Sequence, residues 1–144
     1  MRKLKGFTLV EVLIVVIIIA ILAALVVPRF LSQPEKAVLA EANQMLGAIA
    51  RAQNTYVDSG TGTAWLAVDA TTNAANWAKI GMQAPSATNF TYACTGDTSC
   101  TAVRGGSGDY AGATITVTKI GGWTCTGGTA TKKYAANTAG GCSV

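Results

Sequence analysis

The chain has 144 residues, half of them hydrophobic and only 12% charged, which suggests one domain plus an N-terminal segment with a modest core. Its formal charge of +4 owes much to Arg2, Lys3 and Lys5. Without them eight basic side chains face seven acidic ones, so the charge gives no argument for nucleic-acid affinity. There is no histidine, which removes the usual general base and a common zinc ligand.

Met1 to Gly6 is basic and short. Phe7 to Val27 is then 21 residues with a single charge, Glu11, and one other polar residue, Thr8. At about 1.5 Å per residue, a helix of that length just crosses a hydrocarbon core of roughly 30 Å. The flanking Arg2, Lys3 and Lys5 place the N-terminus in the cytoplasm. A carboxylate in such a helix costs on the order of 3 kcal/mol, so Glu11 needs neutralisation or a use. A lone helix gives it none; Leu or Gln there would be cheaper. Two plainer readings compete. A signal peptide would be cut after the run, near Ala20–Ala24, and a simple anchor would stay. Neither accounts for Glu11 or for Gly6, whose bare peptide bond is open to a protease. Cleavage between Gly6 and Phe7 would free an amine four residues before Glu11, the spacing of a helical turn. In a bundle of identical helices, a neighbour's amine could pair with Glu11.

The stretch GFTLVEVLIVVIIIAILAALVVP resembles the class III signal sequence of type IV pilins, the IVa group especially. The resemblance implies a prepilin peptidase that cuts after Gly6 and methylates Phe7. It implies assembly roles for Glu11 and Pro28. Ala20 departs from the glycine that many members carry, and that glycine is associated with helix melting in filaments. The resemblance is specific over roughly 25 residues of the signature and architectural beyond it. It implies an α+β pilin fold, with a long N-terminal helix over 7–59 packed on a small antiparallel sheet. The implied domain order is a leader at 1–6, a helix at 7–59 whose 7–27 half is transmembrane, and a loop and β domain at 60–144.

Pro28 should kink the helix rather than end it, and Pro34 is a second candidate kink. From Glu35 the pattern is amphipathic: Val38, Ala42, Met45, Ile49, Ala52 and Tyr56 recur at spacings of three and four. This stripe reads as core packing against a sheet. Ser59-Gly60-Thr61-Gly62 stops the helix. In the connecting region, Asn76–Ile80 reads as a short helix with Asn73 as its cap and Gly81 as its end. Trp65 and Trp77 read as anchors.

From Thr88 onward alternation predicts strands over Asn89–Cys94, Cys100–Arg104, Ala113–Ile120 and Trp123–Thr126. Three or four antiparallel strands should place Ile115 and Val117 on the helix stripe. All four cysteines lie past the apolar run, which suggests two disulfides in an exported domain. Three pairings are open. Nearest-neighbour pairing, Cys94–Cys100 and Cys125–Cys142, is the expectation. A tail without the second bridge should be mobile. No cofactor or metal site is expected: neither cysteine pair has the short spacing of a zinc knuckle.

No catalytic constellation emerges. The carboxylates Asp58, Asp69, Asp97 and Asp109 are scattered, and Gly105–Gly108 lacks the Lys-Ser/Thr and helix of a phosphate loop. The sequence therefore suggests no enzyme, and the resemblance implies a structural subunit, held in the inner membrane with its N-terminus cytoplasmic and then assembled into a helical homo-oligomeric surface filament. The resemblance adds the prepilin peptidase, a platform membrane protein and assembly ATPases as partners, and adhesion, motility or DNA uptake as roles. Two alternatives stand beside it: a type II secretion pseudopilin, and a signal-anchored periplasmic binding module.

Overall fold

The computed structural model of the protein describes residues 6–30, 33–86, 89–127, 132–137 and 140–144. It divides into two units, 1–35 and 36–144. In the first, α1 (Leu9–Phe30) is helical through Pro28, so the proline does not end it. None of its described side chains is buried within the chain. The window Leu9–Val26 is long and apolar enough to cross a membrane.

The second helix, α2 (Gln33–Asp58), starts with Pro34 in its first turn, where a missing N–H costs nothing. The expected continuity of a single helix over 7–59 turns on residues 31–32, outside the described residues. α2 ends where Ser59-Gly60 turns the chain: Gly60 has φ +73° and donates to the Val57 carbonyl. Gly62 is tied to packing instead. A Cβ there would lie 2.0 Å from the Tyr56 ring, so any larger residue would have to push that ring aside where the chain folds back over it.

The buried stripe of α2 is Leu39, Ala42, Leu46, Ile49 and Gln53. It is rotated slightly from the expected one. Ala42 and Ile49 are shared, while Val38, Met45, Ala52 and Tyr56 are only half-buried at its edge. The apolar arc of the helix is wide, and its centre is marked by a polar residue, Gln53, that hydrophobic periodicity cannot include.

A four-stranded antiparallel sheet covers this stripe. Its strands, β1 (Phe90–Cys94), β2 (Ser99–Arg104), β3 (Thr114–Thr118) and β4 (Trp123–Thr126), are ordered 1-2-3-4. Alternation does its ordinary work here: in β3, Ile115 and Val117 are buried while Thr114, Thr116 and Thr118 are half-buried. The register places Ala102 opposite Ile115 and Cys100 opposite Val117, which builds one continuous apolar face. Trp65, Val68, Trp77 and Ile80 close the core from the connecting region.

The short helix α3 (Asn76–Lys79) ends at Gly81, which has φ +73°. Asn73 does not cap it with its side chain. That side chain donates to Asp69 Oδ2 at 2.8 Å, and only the Asn73 carbonyl meets the helix, accepting from the Asn76 N–H. Asp69 takes the local donors: the N–H groups of Thr71 and Asn73 both reach its Oδ1. Beyond β4 the described tail forms a small hairpin of β5 (Ala135–Ala136) and β6 (Cys142–Ser143), two strands too short for alternation to signal.

Candidate functional site: the N-terminal apolar helix

The site is the start of α1. Thr8 is its N-cap and Glu11 its third residue, and the two exchange hydrogen bonds. The Glu11 N–H donates to Thr8 Oγ1 at 3.3 Å, and the Thr8 N–H donates back to Glu11 Oε2 at 2.9 Å. The Thr8 hydroxyl also donates to that oxygen at 2.7 Å. This is a reciprocal capping box, which satisfies helix N–H groups that would otherwise be bare. It corrects the expectation that Glu11 has no use in its own helix. The signal is present in the sequence as Thr8-x-x-Glu11 before an apolar run.

Gly6 lies just outside α1 and is exposed. A Cβ added there would meet nothing within 4 Å, and its backbone is not in the left-handed region. The described structure therefore makes no demand for glycine at this position. Phe7 is 85% exposed. Pro28 sits within α1, near its last described residue, Phe30.

The remaining site residues are the cysteines, and the structure joins Cys94 to Cys100 and Cys125 to Cys142. Cys94 and Cys100 face each other across β1 and β2, so this bridge closes the turn that carries Asp97. The second bridge fastens β6 to β4.

Two polar side chains of α2, which sequence reasoning passed over, do comparable work. Asn43 accepts from the Cys142 N–H at 3.0 Å and donates to its carbonyl at 2.8 Å. Gln53, with no exposed surface, accepts from the Leu66 N–H at 2.8 Å and donates to its carbonyl at 2.7 Å. Each primary amide imitates a strand partner for one residue of backbone, so a helix can hold an irregular segment without stranding its polar groups. Gly141 (φ +91°) completes the Asn43 clasp, since a Cβ there would lie 3.0 Å from the amide.

Charges at the sheet end are paired locally. Asp97 accepts from Lys119 and from the Trp65 N–H, and Lys119 first, then that N–H, holds its carboxyl below the usual range. Burial, then the Glu41 charge, pushes the Tyr92 hydroxyl up to about 12.

A small α+β sheet domain, in a chain that also carries an apolar helix of membrane-spanning length, is the architecture of a pilin. The comparisons with known proteins agree. Residues 1–27 match the model of the prokaryotic N-terminal methylation motif. The type II secretion system core protein G of Pseudomonas aeruginosa is 47% identical over 55 residues, 38% of this chain and 39% of that protein. Its namesake in Vibrio cholerae is 60% identical over 37 residues, 26% of this chain and 25% of that protein. The type IV wide pilus major component PilA4 of Thermus thermophilus is 57% identical over 37 residues, 26% of this chain and 28% of that protein. The chain thus spans well under half the length of these relatives. No solved structure matches it significantly. In motif and fold this is a type IV pilin-like protein, with an N-terminal segment that fits membrane anchoring.

Proposed function

We propose that this chain is the structural, non-catalytic subunit of a type IV pilus. The observation that carries the reading is α1: a membrane-length apolar helix with no described side chain buried by its own chain. Such a surface needs a cover, which is lipid in the stored subunit and sister helices in the filament. The prepilin peptidase cuts between Gly6 and Phe7 and methylates Phe7. A glycine that the described structure does not itself require supports that assignment. Glu11 then offers its carboxylate to the Phe7 amine of a neighbour, which registers each incoming subunit. Pro28 shapes the helix where it leaves the bilayer. Extraction and assembly would use a platform protein and cytoplasmic ATPases, and the filament would serve adhesion, motility or DNA uptake. Intact mass of the membrane protein tests processing, and electron microscopy of sheared surface material tests assembly. Met1 retained in assembled material would refute the first, and absence of filaments the second.

A type II secretion pseudopilin is the second reading, favoured by the names of two relatives. The major pseudopilin, as the resemblance implies, ends in a calcium loop, and calcium asks for several oxygen ligands including carboxylates. No Asp or Glu follows Asp109 in this chain. Long surface pili at native expression separate the two readings.

A further inference from the structure

Ile120 is 94% exposed, far more than any other large apolar side chain described in the unit 36–144. A lone exposed isoleucine is ordinary, but this one is rigidly presented. It sits at the tip between β3 and β4, where Gly121 (φ +85°) donates to the Thr118 carbonyl and Gly122 donates to Thr118 Oγ1 at 2.9 Å. The tip is fastened to the β1–β2 turn, through the Lys119 N–H to the Thr98 carbonyl and through the Lys119–Asp97 ion pair. Both hydrogen bonds to Asp97 reach Oδ1, and none reaches Oδ2 among the described residues. The tip therefore shows an apolar knob beside a carboxylate oxygen with capacity to spare.

The same unit carries a matching recess. A groove of ≈ 310 Å³ lies along the first turns of α2, lined by Lys36, Leu39, Ala40, Asn43, Cys142 and Val144. Leu39 and Cys142 are its apolar floor, and the polar atoms of Asn43 are already committed to Cys142. Lys36 is exposed and has no ion pair among the described residues. The tip, by contrast, is tied through Asp97 and Trp65 to Asn54, near the other end of α2. Leu39 and Asn54 are about 22 Å apart along that helix at 1.5 Å per residue.

We propose that the Ile120 tip of one subunit seats in the Leu39 groove of a second copy, with Lys36 of that copy meeting Asp97 Oδ2. Asp97 keeps Lys119 at Oδ1 and has Oδ2 left to accept from Lys36, and the groove has room for an isoleucine side chain. Tip and groove are different patches, so the contact is heterologous, and where its rotation does not close a ring it repeats from copy to copy. This suits a filament, and the inference rests on that reading. One knob and one exposed ion pair bury far less than the roughly 1,200 Å² of a stable dimer. The contact therefore forms only where the apolar helices already hold copies close together, at high effective concentration.

The test uses sheared filaments carrying Ile120→Cys and Ala40→Cys in the same chain, treated with a short thiol-to-thiol cross-linker. The expected result is a ladder of covalent dimers, trimers and longer species, with monomer only from either single variant. Filaments of normal yield without a ladder would overturn the docking and leave the filament reading standing. Wild-type cells with no filaments would overturn both. Ile120→Asp covers failure of the double variant to assemble. It changes an exposed turn residue, should leave the membrane level unchanged and should lower filament yield about tenfold or more. Wild-type yield from Ile120→Asp would sink the proposal.

Discussion

Replacing Gln53 by Leu tests whether a polar clasp, rather than apolar packing, holds the connecting region to α2. The substitution keeps much of the side-chain volume but removes both hydrogen bonds to Leu66. It strands one N–H and one carbonyl, each worth about 1–3 kcal/mol when buried without a partner. Leu66 is only half-buried. Water should relieve part of that cost, leaving about 2–3 kcal/mol for the pair. Burial of a leucine in place of an amide returns about 1 kcal/mol. The net expectation is a loss of about 1–2 kcal/mol, or a Tm lower by roughly 4–10 °C for a unit of this size. Thermal and urea unfolding of the full chain in detergent, followed by circular dichroism, would measure it. Gln53→Glu should cost more at neutral pH, because a carboxylate cannot donate to the Leu66 carbonyl, and should recover in part on acidification. A loss under about 0.5 kcal/mol for Gln53→Leu would refute the reasoning, since it would mean that solvent satisfies Leu66 freely.

The capping box separates two roles of Glu11. Glu11→Gln can keep the cap and lose the charge, so it should insert and be processed yet give few filaments, while Glu11→Leu should lose both; wild-type filament yield from either would remove the carboxylate from assembly. Gly6→Val should accumulate unprocessed membrane protein, read as retained Met1 by intact mass, and normal processing would show that glycine is not what the peptidase needs. Cys142→Ser should cost about 2–5 kcal/mol. Asn43 still grips the Cys142 backbone, so limited proteolysis should release the tail slowly, and instant loss would deny the clasp any strength. Asp69 is held down to about 2, first by the Asn73 N–H and side-chain amide, then by the Thr71 N–H. Its contribution is therefore full above about pH 4 and lost as pH falls through about 2. Asp69→Asn should flatten that part of the acid-unfolding curve, and an unchanged curve would show that the loop does not couple to stability.

The N-terminal motif was legible because its information is local. A run of apolar residues, one carboxylate and one glycine define the segment without reference to any distant part of the chain. The strands were legible for the same reason, since the alternation of Ile115 and Val117 with threonines is written within five residues. Tertiary structure decided what depends on partners far apart in the sequence. Asn43 and Gln53 look like surface residues until Cys142 and Leu66 arrive at hydrogen-bond distance, and only then does burying an amide stop costing free energy. The exact stripe of α2 and the two-residue strands of the tail follow from those contacts. The pairing of Cys125 with Cys142 likewise needs β4 and β6 brought side by side, a proximity that spacing along the chain could suggest but that only folding supplies.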